Sequence, residues 1–155
     1  MDYEIILKKF KTSSLEKREV VTLTFKEGMN ILECSELLES GGVCDKKDFL
    51  KTCNSEKLKD KHSFLKKLMN GNKVYYLLEG FLFPDTYQFY KNSKSSEVIE
   101  KFLNNFEKKV LKSEQFKNLY TTSSDELKKT LIIASIIQAE AANKEDMFNV
   151  NFQNK

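Results

Sequence analysis

Residues 78–90 read L78-E-G-F-L-F-P-D-T-Y-Q-F-Y90 and contain the chain's only proline, Pro84. Together with Tyr75 and Tyr76 just upstream, the stretch holds seven of the eighteen aromatic residues. Phe81, Phe83 and Tyr87 are two or four positions apart, so in an extended chain they share one face. Pro84 holds its own φ and biases Phe83 toward extended backbone. Asp85 and Thr86 supply turn hydrogen bonds. The stretch therefore reads as an aromatic core strand broken by a proline, which makes a rigid corner.

Upstream, residues 3–10 and 19–26 both have strand character. In the second, Val21, Leu23 and Phe25 alternate with polar residues and point one way. Gly28 breaks that strand and Asn30 caps a helix over 31–40, where Ile31, Cys34, Leu37 and Leu38 fall at helical spacing. Gly41-Gly42 ends it. Asp45 caps a second helix with Phe49, Leu50 and Cys53 on one face. The resulting βαα unit resembles the LysM-like lobe of some cell-wall enzymes.

Downstream of that unit, residues 55–70 read as one polar helix with Leu58, Phe64, Leu65, Leu68 and Met69 on its apolar side, and N70-G-N72 as a turn. Past the corner, a helix runs from about Ser96 to Lys112, with Val98, Phe102, Phe106 and Val110 recurring every fourth position. Ser113–Tyr120 forms a short connection. Ser123 with Glu126 has the form of a capping box and starts a helix through T130-L-I-I-A-S-I-I-Q-A-E-A-A142. The fold class is α+β. Residues 1–54 make a small lobe with N-terminal strands, and residues 55–155 a mixed, mainly helical lobe.

Composition excludes several functions. The 155 residues are 40% apolar and 32% charged, a foldable mixture. No segment approaches the roughly 20 apolar residues that cross a bilayer, and M1-D-Y-E-I-I-L-K-K9 is too short and charged for a signal peptide. The chain as it stands is expected to be soluble. The net charge of +3 comes almost entirely from lysines alternating with acids, and Arg18 is the only arginine. That pattern is a solvated surface and not a nucleic-acid track. Cys34, Cys44 and Cys53 match no metal-binding spacing and are expected to be small buried or half-buried residues. No metal site is expected. His62, the only histidine, is expected at the surface in a charged helix.

The strongest chemical signal is Glu140. Ile137, Ile136 and Ile133 lie three, four and seven positions before it and share its helical face. The stretch 131–137 is apolar nearly all round, so this helix is expected to be internal. A carboxylate at the end of such a stripe is desolvated, which raises its pKa toward that of a general acid. Ala139 and Ala141 leave room for a ligand. The plainer alternative is a helix-end glutamate that reaches solvent or pairs with Lys144.

L78-E-G-F-L-F-P-D-T-Y87 resembles the signature L-E-G-[YF]-L-F-P-D-T-Y of the MltG (YceG-like) endolytic murein transglycosylases. I133-A-S-I-I-Q-A-E-A141 resembles that family's A-S-I-[IV]-[EQ]-x-E-[AT] helix, and F25-K-E-G28 its I-P-E-G entry. The resemblance covers roughly residues 3–150. It implies cleavage of peptidoglycan glycan strands between N-acetylmuramic acid and N-acetylglucosamine, with a 1,6-anhydro product and no cofactor. Glu140 falls on the family's catalytic glutamate. Glu79, Phe81, Phe83, Asp85, Tyr87 and Gln138 are implied to bind substrate, with Glu79 either orienting it or serving as a structural hydrogen-bonding residue.

The implied setting is the outer face of the bacterial cytoplasmic membrane, with peptidoglycan synthases of the elongation machinery as partners. Membrane attachment in the family runs through an anchor that this sequence does not show, and the family's V-x-x-V-F-x-N-R-L and Q-x-D-x-T segments have only the faint echo F152-Q-N-K155. Reduced activity of this chain by itself is the expectation. A non-catalytic glycan-binding fragment of the same family and a plain α+β interaction domain are the alternatives. An older family label, pyridoxal-phosphate-dependent aminodeoxychorismate lyase, demands a phosphate cup, and this glycine-poor sequence shows none.

Overall fold

The computed structural model describes residues 18–69, 77–123, 125–134 and 137. The expected strand at 3–10, Tyr75, Tyr76, the turn at 70–72, Gln138 and Glu140 lie outside the described residues.

Strand β1 (Val20–Thr24) pairs antiparallel with β2 (Thr86–Tyr90), Leu23 opposite Tyr87 and Val21 opposite Phe89. The ladder continues beyond both ends, because Phe25 N–H donates to the Asp85 carbonyl and Lys91 N–H to the Glu19 carbonyl. One face of this two-stranded sheet is turned inward, with Tyr87, Phe89 and Phe25 buried. A pair of strands is marginal without such packing.

Helix α1 (Ile31–Ser40) begins on a reciprocal capping box: the Asn30 side chain accepts from the Leu32 and Glu33 N–H groups, and Glu33 accepts from Asn30 N–H. It ends as Gly41-Gly42 predicts. Gly42 N–H donates to the Glu39 carbonyl and Val43 N–H to the Leu38 carbonyl, while Gly42 sits at φ +69°. Asp45 accepts from Asp48 N–H and starts α2 (Lys46–Cys53).

The single helix expected over 55–70 is instead α3 (Lys57–Lys61) and α4 (Ser63–Met69), separated by His62 in extended backbone. In one continuous helix Leu58 and Phe64 would stand about 120° apart; the break lets both enter the core. His62 corrects the surface assignment. It is 8% exposed, its ring packs edge-on to Phe64, and Nε2 lies 3.3 Å from Glu100 Oε2.

Helix α5 (Ser95–Phe106) buries Val98, Phe102 and Phe106 and passes into a π-helical segment, Glu107–Leu111. A four-residue apolar period drifts by about 40° per step on an α-helix. The wider π segment brings Val110 back to the buried side. The connection expected at 113–120 is itself helical, α6 (Glu114–Thr122). Ser123 Oγ then accepts from Glu126 N–H at 3.3 Å and opens the helical stretch 125–134.

That last stretch departs from the internal helix expected at 131–137. Leu127 is fully buried and Leu131 packs against the core, but Ile132, Ile133 and Ile137 are 53%, 57% and 62% exposed. Apolar character all round specifies burial only where a second surface arrives to complete it.

One apolar core takes in residues from β1 through Leu127. Its centre is aromatic: the Phe102 ring centroid lies 4.9 Å from Phe25 and 4.6 Å from Tyr87. The α+β class, mostly helical with one small sheet, is as expected.

Candidate functional site

The aromatic corner is a short turn followed by a strand. Gly80 sits at φ +85° and Phe81 N–H donates to the Leu78 carbonyl, so the chain is extended only from Thr86 onward. Phe81 and Phe83 therefore do not share a strand face with Tyr87. The inward face of β2 consists of Tyr87 and Phe89.

Tyr87 closes the corner. Its ring is buried against Phe25, Phe89 and Phe102, and its hydroxyl donates to the Phe83 carbonyl at 2.7 Å. Pro84 cannot donate a main-chain bond, and this tether spans it. The Asn105 amide of α5 donates to the same hydroxyl and to Asp85 Oδ2, both at 2.9 Å. Asp85 Oδ1 accepts from Thr86 N–H, and Lys109 Nζ stands 3.3 Å from Oδ2.

These contacts set the protonation states. The Asn105 amide foremost, then the Thr86 N–H and Lys109, hold the Asp85 carboxyl below its ordinary range. Burial pushes the Tyr87 phenol up to about 12, so it stays a neutral donor at physiological pH. Asp85 is fitted to act as a fixed anion and not as a proton donor.

Glu79 faces elsewhere. Its Oε2 accepts from Ile31 N–H at 3.3 Å, in the first turn of α1, where the helix dipole favours a carboxylate. It ties the corner to the βαα unit beside the Asn30 cap. The Phe81 ring packs on Phe64 and Phe106, with centroids 6.3 and 5.2 Å away, and Phe83 is half-buried against the core. Of the residues singled out from sequence, Asp85, Tyr87 and the Phe83 main chain come together, Glu79 and Phe81 contact other elements, and Gln138 and Glu140 lie outside the described residues. No group of three or more His, Cys, Asp or Glu among the described residues is placed to hold a metal.

Sequence reasoning missed Asn105, Lys101 and Lys109. A signal existed: Lys101, Asn104, Asn105 and Lys108 follow the spacing of one helical face. They line an open groove of about 500 Å³ against Asp85–Gln88.

The profile of the YceG-like family matches residues 1–151. The crystal structure of a protein described as yceG-like, from Listeria monocytogenes, superposes with a TM-score of 0.53 at 19% identity, over 78% of this chain and 40% of that one. At that identity the likeness is one of fold. This chain spans less than half the length of that structure. No curated protein matches the chain.

Proposed function

The chain belongs to the YceG-like family, and from that premise we propose that it cleaves peptidoglycan glycan strands internally as a lytic transglycosylase. The observation that carries this reading is the extent of the family match. Residues 1–151 include both the corner at 78–87 and the sequence stretch 133–141 that contains Glu140.

Protonated Glu140 donates its proton to the glycosidic oxygen as the bond to muramic acid C1 breaks. The resulting carboxylate takes the proton of the muramic acid C6 hydroxyl, whose oxygen bonds C1 and closes a 1,6-anhydro ring. Water is not consumed and Glu140 ends protonated. Glycosidases that use water or a protein nucleophile need a second carboxylate; an internal hydroxyl already held near C1 replaces it. Residues 1–54 act as the LysM-like lobe and 55–155 as part of the catalytic lobe. Gln138, Phe81, Phe83 and the Asp85–Tyr87 corner form the substrate side, and Glu79 takes the structural role of holding that corner to α1. Action at the outer face of the cytoplasmic membrane, beside peptidoglycan synthases, belongs to the same proposal. No helix among the described residues is long and apolar enough to cross a membrane.

One observation favours a second reading, a glycan-binding module without turnover. Ile133 and Ile137, seven and three positions before Glu140 in the sequence, are 57% and 62% exposed. The apolar burial from which a general acid was expected is not found at these two positions. Mass spectrometry of purified glycan strands incubated with the chain separates the two. Anhydro-muramic ends that vanish in Glu140→Gln support the transglycosylase. Strand binding with no such ends, unchanged in Glu140→Gln, supports the module.

A further inference from the structure

The groove beside the corner has chemistry of its own. One wall is the free edge of β2. Phe25 N–H bonds the Asp85 carbonyl and Lys91 N–H bonds the Glu19 carbonyl, so odd-numbered residues of β2 turn their main-chain groups to β1. Thr86 and Gln88 turn theirs away. Two side contacts agree with this: Thr86 N–H donates to Asp85 Oδ1, and the Gln88 carbonyl accepts from Lys101 Nζ. The Gln88 N–H and the Thr86 carbonyl are left on an open strand edge.

The other wall is the polar face of α5 and the π segment. Lys101 is spent on the Gln88 carbonyl, and Asn105 on Asp85 and Tyr87. Asp85 is already matched by Asn105, Lys109 and Thr86 N–H. Asn104 and Lys108 are exposed, and among the described residues Lys108 has no ion pair. The groove thus offers a strand edge, side-chain carboxamides from Gln88 and Asn104, and an uncommitted ammonium. It offers no exposed ring, because its one aromatic, Tyr87, is 7% exposed and packed in the core. Sugar rings are gripped by exposed aromatic faces. A strand edge with carboxamides and an ammonium matches the amides and carboxylate of a peptide.

We propose that this groove binds a short peptide carrying a free carboxylate, with peptide amides on the β2 edge and the carboxylate at Lys108. Resting on the function proposed above, its occupant is the stem peptide that hangs from a peptidoglycan strand.

The test uses amide NMR of the 155-residue chain with three probes: the tripeptide L-alanyl-γ-D-glutamyl-L-lysine, the same peptide with its carboxylates amidated, and chitotetraose. The tripeptide is expected to shift Gln88, Asn104 and Lys108 saturably. Amidation, Lys108→Glu or Asn104→Asp should each weaken it about fivefold to tenfold, and added salt should weaken it further. Both variants alter exposed side chains, and unchanged spectra elsewhere confirm their fold. The proposal is overturned if the tripeptide leaves these amides unmoved, if Lys108→Glu binds it equally, or if chitotetraose occupies the groove as tightly. Peptide binding here without strand cleavage upholds the groove and removes the transglycosylase reading. Cleavage without peptide binding here does the reverse.

Discussion

The Asn105 side-chain amide, on α5, lies 2.9 Å from Asp85 Oδ2, twenty residues earlier in the chain. The same nitrogen reaches the Tyr87 hydroxyl, so one amide holds both polar groups of the corner. Asn105→Ala is expected to destabilise the chain. The bond to Tyr87 alone contributes about 1 kcal/mol. The bond to Asp85 adds a pH signature. A carboxyl held below its usual value of 3.8 stabilises the fold above that pH and loses the effect as pH falls through its folded value. The gap between wild type and Asn105→Ala in urea denaturation should therefore narrow in acid below 3.8. A pH-independent gap would show that Asp85 is not the partner that matters.

Gly42 at φ +69° ends α1, and a Cβ there would meet nothing nearer than the Lys91 side chain at 3.7 Å. The cost of Gly42→Ala is then backbone strain without a clash, about 1–2 kcal/mol. Thermal or urea unfolding measures it. A neutral result would mean that the left-handed turn is not held in solution.

Burial pushes the Cys34 thiol up to about 12 and the Cys44 thiol to about 11, and moves Cys53 in the same direction. A thiol that titrates higher in the fold than in the open chain contributes fully below its ordinary value of 9.0 and loses that contribution as pH rises past it. Stability should fall above pH 9.0. In the native chain, disulfide-exchange reagents should label half-buried Cys44 first and leave Cys34 and Cys53 slow until urea is added. Equal, rapid labelling of all three would contradict their burial.

Ile133 and Ile137 are exposed, so Ile133→Asp and Ile137→Asp should each change the stability of this chain by no more than about 0.5 kcal/mol. The comparison is Leu127→Ala, at a fully buried position, which should cost about 2–5 kcal/mol. Equal losses at all three sites would place the isoleucines in a core.

Much of the fold was legible from neighbouring residues. The alternation of Val21, Leu23 and Phe25, the Asn30 cap, the Gly41-Gly42 stop and the Asp45 cap each depend on residues within one turn or strand. Local chemistry settles them before any long-range contact forms. The resemblance at 78–87 likewise located the corner. It did not say which side chains close it, because Tyr87 meets Asn105, and Glu79 meets Ile31, only when separate elements pack.

Three outcomes depended on that packing. His62 left the surface because Leu58 and Phe64 had to enter one core and Glu100 stood where the ring turned. The four-residue period of α5 was resolved by a π segment that brought Val110 inward. Ile132, Ile133 and Ile137 stayed exposed despite an apolar run that reads as interior. A residue's spacing determines which side chains share a face. Whether that face is buried depends on what the rest of the chain brings against it.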